Sequence, residues 1–192
     1  MEDPLVVTML VARALEALGI DYFIGGSLAS GVYGLGRATM DADLVAPLRE
    51  EHVEAFVDLL GPDFYADPEM IHEAIRLRRS FNLIHLPTMF KVDVFIPDSS
   101  PFSREQLRRR RRETLDPSTG EGAFFSAPED LILAKLEWFR QSGSERHWQD
   151  VLGIIKTQCD RLDLAYLRRW ADVLGLRAEL ERALVEGGLA KD

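Results

Sequence analysis

The chain has 192 residues, 46% of them hydrophobic and 29% charged, with a formal net charge of −9. That length suffices for one good core, or for a domain with a helical appendage. The acidic balance argues against broad, charge-driven coating of nucleic acid but leaves room for a local basic groove. One cysteine, Cys159, rules out an internal disulfide and fits a reducing cytoplasm. Its apolar helical setting reads as packing. The N-terminal stretch lacks a basic n-region, and no apolar run is long enough to span a membrane, so neither a signal peptide nor an anchor is expected.

In chain order, residues 4–18 have helical spacing, with Leu5, Met9, Ala12, Leu15 and Leu18 available as one face, and Gly19 stops the helix. Ile20–Ile24 reads as a short strand ended by Gly25-Gly26. Ser27 is the expected N-cap of a helix running to about Tyr33. A loop from Gly34 to Thr39 leads to a second strand, Asp41–Ala46, closed by Pro47. Arg49–Leu60 reads as an amphipathic helix and Pro68–Leu77 as another. Ser80–Leu86 and Met89–Ile96 read as paired strands. From Pro101 the chain turns polar and basic, with a short strand expected near Gly122–Ser126. Helices are expected over Pro128–Gln141, Ser144–Gln158, Asp163–Leu174 and Leu176–Glu186. The fold class expected is α+β: a small mixed sheet with packed helices over 1–98, a basic connecting segment over 99–126, and a helical region over 127–192.

The chemistry begins at Gly25-Gly26-Ser27. Glycines let the backbone approach a ligand, and a helix N-terminus presents N–H groups to phosphate oxygens, to which Ser27 can add a hydroxyl. A tight turn with a capping serine explains the same residues. Asp41 and Asp43 weigh more. At i and i+2 of a strand, both carboxylates point to one side, and they repel unless a cation joins them. Mg2+ (or Mn2+) beside an NTP triphosphate is the natural partner. Asp93, inside the apolar run Phe90–Ile96, is costly to bury unless paired or metal-bound. It is a candidate general base or third metal ligand, and a pair with Lys91 on the same strand face is the competing explanation. Arg37 and Thr39 precede the acid pair, where Arg37 is either a phosphate clamp or an exposed loop residue. The run Arg108 to Arg112 reads equally as a contact for triphosphate or RNA and as a solvated segment. Trp138 and Trp148 read as core. The four histidines have no metal-ligand spacing.

Gly-Gly-Ser, a spacer, Arg-x-Thr-x-Asp-x-Asp and a later Val-Asp-Val-Phe strand together resemble the nucleotidyltransferase superfamily that includes DNA polymerase beta. The resemblance implies that Asp41 and Asp43 bind metal, that Asp93 completes the site and that Ser27 contacts nucleotide phosphate. The helix starting Ala127-Pro128-Glu129-Asp130 and the later Arg146-His147-Trp148-Gln149-Asp150 are similar to bacterial abortive-infection (AbiEii-type) toxin nucleotidyltransferases. Lys135 and Asp150 match that pattern. This implies a triphosphate contact for Lys135 and an orienting role for Asp150. An ion pair packing two helices explains both residues as well. The resemblance spans about residues 20–155. It implies transfer of an NMP to a hydroxyl with release of pyrophosphate, an RNA acceptor such as the 3′ end of tRNA, and an antitoxin partner. An antibiotic-type small-molecule acceptor and a non-catalytic nucleotide-binding relative are the alternatives.

Overall fold

The computed structural model describes residues 4–36, 38–116 and 118–189. Helix α1, Pro4–Ala17, closes in a Schellman-type turn. Gly19, at φ +67, donates its N–H to Glu16 O, and Ile20 N–H reaches Leu15 O. That turn uses the amide of Ile20, so β1 is only Phe23–Ile24 rather than the longer strand expected. The buried face of α1 is also broader than the expected stripe. It takes in Val7, Val11 and Ala14, while Leu5 and Leu18 are half-buried. Helix α2, Gly26–Tyr33, starts two residues earlier than expected, so Ser27 lies in its first turn instead of at the cap.

Strand β2 is Asp41–Val45. A short 3-10 turn at Glu50–His52 precedes α3, Val53–Leu60, with Arg49 N–H donating to His52 Nδ1. The two-residue strand β3, Phe64–Tyr65, was not anticipated. Helix α4, Pro68–Leu77, has the bounds its sequence signals predict. Asp67 caps it, accepting from Glu69 N–H and Met70 N–H, and Pro68 occupies the first turn. Strands β4, Ser80–His85, and β5, Phe90–Phe95, form an antiparallel pair.

The basic stretch divides between two elements. Helix α5, Pro101–Arg109, is followed by β6, Arg111–Asp116, which pairs antiparallel with β7, Glu121–Phe125. The seven-stranded sheet has the order β3-β4-β5-β2-β1-β7-β6. Strands β2 and β5 are parallel, as are β1 and β7, and the other neighbours are antiparallel.

Strand alternation sorts the central strands into two faces. Ala42, Leu44, Val92, Val94, Phe81 and Leu83 are buried, and α1 and α4 contact β2, β5 and β4. Asp41, Asp43, Lys91, Asp93 and Asn82 occupy the other, half-exposed set of positions.

The chain divides into two compact units. The first holds residues 1–28 and 38–125, and so includes the sheet, α1, α3, α4 and α5. The second holds 29–37 and 126–192. In the second unit lie α6, Pro128–Ser142; α7, Glu145–Gln158; α8, Leu164–Leu174; and α9, Arg177–Glu186. Trp148 is buried on α7. Its Nε1 donates to Glu186 at 2.9 Å, and Arg182 stacks 4.2 Å from the ring centroid. Gln158 donates to the carbonyl of Tyr33, tying the end of α7 to residues 29–37 within the same unit. Trp138, expected in the core, is half-exposed on α6 beside the His147 ring. Cys159, expected to pack, is exposed.

Gly122 lies close against the β6 backbone. A Cβ there would lie 2.4 Å from the Glu113 carbonyl oxygen, a backbone atom that cannot swing aside. Gly122→Ala is expected to destabilise the chain by about 1–3 kcal/mol, read as a Tm lowered by about 2–12 °C. An unchanged Tm would contradict the close approach.

Candidate active site

Three acidic residues fall on the half-exposed face because of register. In the parallel β2–β5 pair, Asp43 stands opposite Asp93 and Asp41 opposite Lys91. Asp41 and Asp43 share a side by alternation, and so do Lys91 and Asp93. On the other flank, the antiparallel β4–β5 register sets Asn82 opposite Asp93. The result is a row of like charges on neighbouring strands, with Lys91 as the cation among them.

Each acid is held by a local contact. The Thr39 hydroxyl, 3.0 Å from Asp41 Oδ1, donates to that carboxylate at the mouth of β2, and it also lies 3.0 Å from the Asp41 carbonyl. Asp43 is clamped against the glycine turn. Its carbonyl accepts the Gly25 N–H at 2.8 Å, and its carboxylate packs on Gly26. An ideal Cβ on Gly26 would lie 1.7 Å from Asp43 Oδ2, and Gly26 has φ +55. Both observations restrict position 26 to glycine. Asp93 Oδ2 accepts a hydrogen bond from Lys91 Nζ at 2.7 Å, with the Asp93 side chain 19% exposed. The Asp93 bond comes first among the causes that raise the Lys91 pKa above its ordinary value. Partial burial opposes the rise, and the charges of Asp93, Asp41 and Asp43 add to it.

The first turn of α2 begins beside these acids, and first-turn N–H groups have no acceptor within their own helix. The start of this helix therefore lies against the carboxylate row. That combination can hold a triphosphate and its cation side by side.

The donor set is all oxygen, from carboxylates on adjacent strands, which suits a hard divalent cation. Among the described residues no three His, Cys, Asp or Glu side chains already converge as a metal site. The contacts above give the reason. Asp43 packs on Gly26, and Asp93 is engaged by Lys91.

Of the other expected site residues, Arg37 lies outside the described residues. Lys135 and Asp150 are in the second unit, where Lys135 Nζ bonds Asp150 Oδ2 at 2.7 Å between α6 and α7. Both side chains are almost fully buried. This is the ion pair that the sequence left open as one of two explanations. The arginine run is largely engaged within the first unit. Arg108 pairs with Glu105, while Arg110 pairs with Asp21 and stacks on Phe124. Asn82 was not anticipated. The signal for it was the alternation of Ser80–His85 against β5.

The fold is that of nucleotidyltransferases. The chain is similar to the solution structure of the antibiotic-resistance factor ANT(2″)-Ia, with 16% identity over 92% of this chain and 94% of that one, at a TM-score of 0.58. It is also similar to an antigenic nucleotidyltransferase-like protein from Paracoccidioides brasiliensis, with 19% identity over 94% and 91% at a TM-score of 0.55. A crystal structure of ANT(2″)-Ia in complex with adenylyl-2″-tobramycin matches with 16% identity over 92% and 97% at a TM-score of 0.51. No protein-family model matches the chain, and no curated protein does.

Two variants test these contacts. Lys135→Met leaves Asp150 buried without its ammonium and is expected to cost about 3–5 kcal/mol, most of it recovered in Lys135→Met/Asp150→Leu. Urea midpoints would show this, and a Lys135→Met chain as stable as the native one would contradict it. Gly26→Ala is expected to turn the Asp43 carboxylate out of its present position and to lower the urea midpoint, since an L side chain at positive φ is strained. A crystal structure of that variant with Asp43 unmoved would contradict the clamp.

Proposed function

We propose that the chain is a metal-dependent nucleotidyltransferase that moves an NMP from an NTP to an acceptor hydroxyl and releases pyrophosphate. The observation that supports this most is the alignment of Asp41, Asp43 and Asp93 on one face of two parallel strands, against the Gly25-Gly26-Ser27 turn. The nucleotidyltransferase fold supports it independently.

In this reading, the first turn of α2 and the Ser27 hydroxyl receive the triphosphate. Thr39 keeps Asp41 turned toward it. Asp41 and Asp43 would hold Mg2+ or Mn2+, with Asp93 completing the acid set, and the bound cation offsets the charge of the triphosphate. Asp93 takes the proton of the acceptor hydroxyl on Oδ1. The acceptor oxygen then forms a bond to the α-phosphorus. The bond from that phosphorus to the bridging oxygen breaks, and pyrophosphate leaves with the electron pair.

For the acceptor, a small cationic molecule bearing a hydroxyl is the first reading. The chain is acidic, and much of its arginine run is spent on internal partners. The similarity to ANT(2″)-Ia, including its complex with adenylyl-2″-tobramycin, points the same way. The second reading is RNA, with tRNA as substrate, a toxic outcome and an antitoxin partner. It rests on the sequence pattern shared with abortive-infection toxins.

The test is transfer from each α-labelled NTP, with Mg2+ or Mn2+, to a panel of aminoglycosides and, separately, to total bacterial RNA. The native chain is expected to label one of the two pools. Asp41→Asn/Asp43→Asn is expected to lower the rate by at least about 100-fold, as loss of transition-state charge stabilisation does. Equal labelling by native and variant chains would contradict the assignment.

A further inference from the structure

The half-exposed face of the sheet continues past the acids onto β4 and β3. Residues directly opposite one another in a ladder share a side, so the registers order this face into transverse rows. One row runs Asn82, Asp93, Asp43, and the next runs Tyr65, Ile84, Lys91, Asp41. The start of α2 lies at the Asp43 end of the first row, where Gly26 meets the Asp43 carboxylate. Asp93 is the middle of that row and Asn82 its other end. Asn82 and Ile84 are half-buried, and Tyr65 is 50% exposed. Among the described residues, the Asn82 carboxamide and the Tyr65 hydroxyl make no hydrogen bond.

We propose that Asn82 is an acceptor-binding residue that sets specificity, and that the acceptor is a small molecule with a hydroxylated ring seated over Asn82, Ile84 and Tyr65. This deepens the nucleotidyltransferase reading and rests on it. The helix start that receives the triphosphate occupies one end of the Asp43–Asp93–Asn82 row. An acceptor whose hydroxyl gives its proton to Asp93 then approaches from the other end, and β4 is the neighbour of β5 on the side away from β2. Directly opposite residues stand about 4.5–5.5 Å apart at Cβ, so a hydroxyl beside Asp93 is also within reach of the Asn82 amide. That amide has two donors and an acceptor oxygen. It can hold the reacting hydroxyl or its neighbour on the ring, and it carries no charge to compete with Asp93 for the proton. Lys91 is tied to Asp93 Oδ2, so the platform of Asn82, Ile84 and Tyr65 is itself neutral. Ile84 and Tyr65 offer an apolar and aromatic surface to the C–H groups of a ring. The platform is short. Strands lie about 4.8 Å apart, so the sheet edge at β3, two strands from β5, leaves about 10 Å beyond Asp93. That length suits one or two rings.

The experiment is steady-state transfer from an α-labelled NTP to a panel of aminoglycosides and, separately, to total bacterial RNA. KM is measured for the NTP and for the aminoglycoside labelled fastest. The forms compared are the native chain, Asn82→Ala, Tyr65→Ala and Ser80→Ala. Ser80 lies on the same face of β4, one row away from Asn82, and is exposed. Asn82→Ala is expected to raise the aminoglycoside KM at least about fivefold, as loss of one hydrogen bond does, with the NTP KM within about twofold of native. Tyr65→Ala is expected to shift the same KM in the same direction, and Ser80→Ala to leave both values near native. An aminoglycoside KM unmoved by Asn82→Ala, an NTP KM raised as much, or an equal effect of Ser80→Ala would overturn the proposal. If the native chain labels RNA and no aminoglycoside, the platform falls and the nucleotidyltransferase reading stands. If it labels neither pool, both fall. Circular dichroism checks the fold of each variant, and Asn82→Val, with higher strand propensity and no amide, takes the place of an Asn82→Ala chain that fails to fold.

Discussion

Like charge on one sheet face is the constraint around which the first unit is arranged. Asp41, Asp43 and Asp93 occupy adjacent positions on two parallel strands, where unscreened carboxylates repel. Every local device nearby acts on that repulsion. Thr39 donates to Asp41, Lys91 neutralises Asp93, and Gly26 gives up a side chain so that Asp43 can press against backbone. A chain with no use for the acids has no reason to maintain them together, because a neutral strand pair of the same shape is cheaper to fold.

The opposite face of the same strands explains how the arrangement is kept rigid. Ala42, Leu44, Val92 and Val94 interleave with the acids along β2 and β5 and are buried to 1% exposure or less. A slip of one residue in the β2–β5 register would bring these apolar side chains to solvent and the acids into the core. The hydrophobic core thus fixes the spacing of the carboxylates, and the chemistry is positioned by packing that never touches it. In the second unit a different solution appears. Lys135 and Asp150 are buried together and bonded, so charge there is matched within the helical layer. Both units place ionised groups where desolvation would be costly, and both resolve it by local pairing.

Much of this was legible in the sequence, for identifiable reasons. Helix α4 was readable to the residue because Asp67 and Pro68 mark its start. The four helices of the second unit were readable because their apolar spacing is regular and Gly143 and Gly175 end two of them in the left-handed region. The placement of Asp41 and Asp43 on one side followed from alternation alone. What sequence could not supply was pairing. That β5 lies parallel beside β2, with Asp93 opposite Asp43, depends on long-range packing. Helix α5 and strand β6 were missed because a run of arginines carries neither the 3.6-residue nor the two-residue apolar period. Strand β3 is too short to show any period. Strand β1 was over-read because the amide of Ile20 closes the preceding helix.

The central claim is that the carboxylate row and the glycine turn form one nucleotide site. The most direct measurement is a crystal structure with a non-hydrolysable NTP and Mn2+, with manganese located by anomalous scattering. The account predicts an anomalous peak bonded to Asp41 and Asp43, with the triphosphate lying along the first turn of α2. A triphosphate bound away from Gly25-Gly26-Ser27, or manganese bound without either acid, would contradict it.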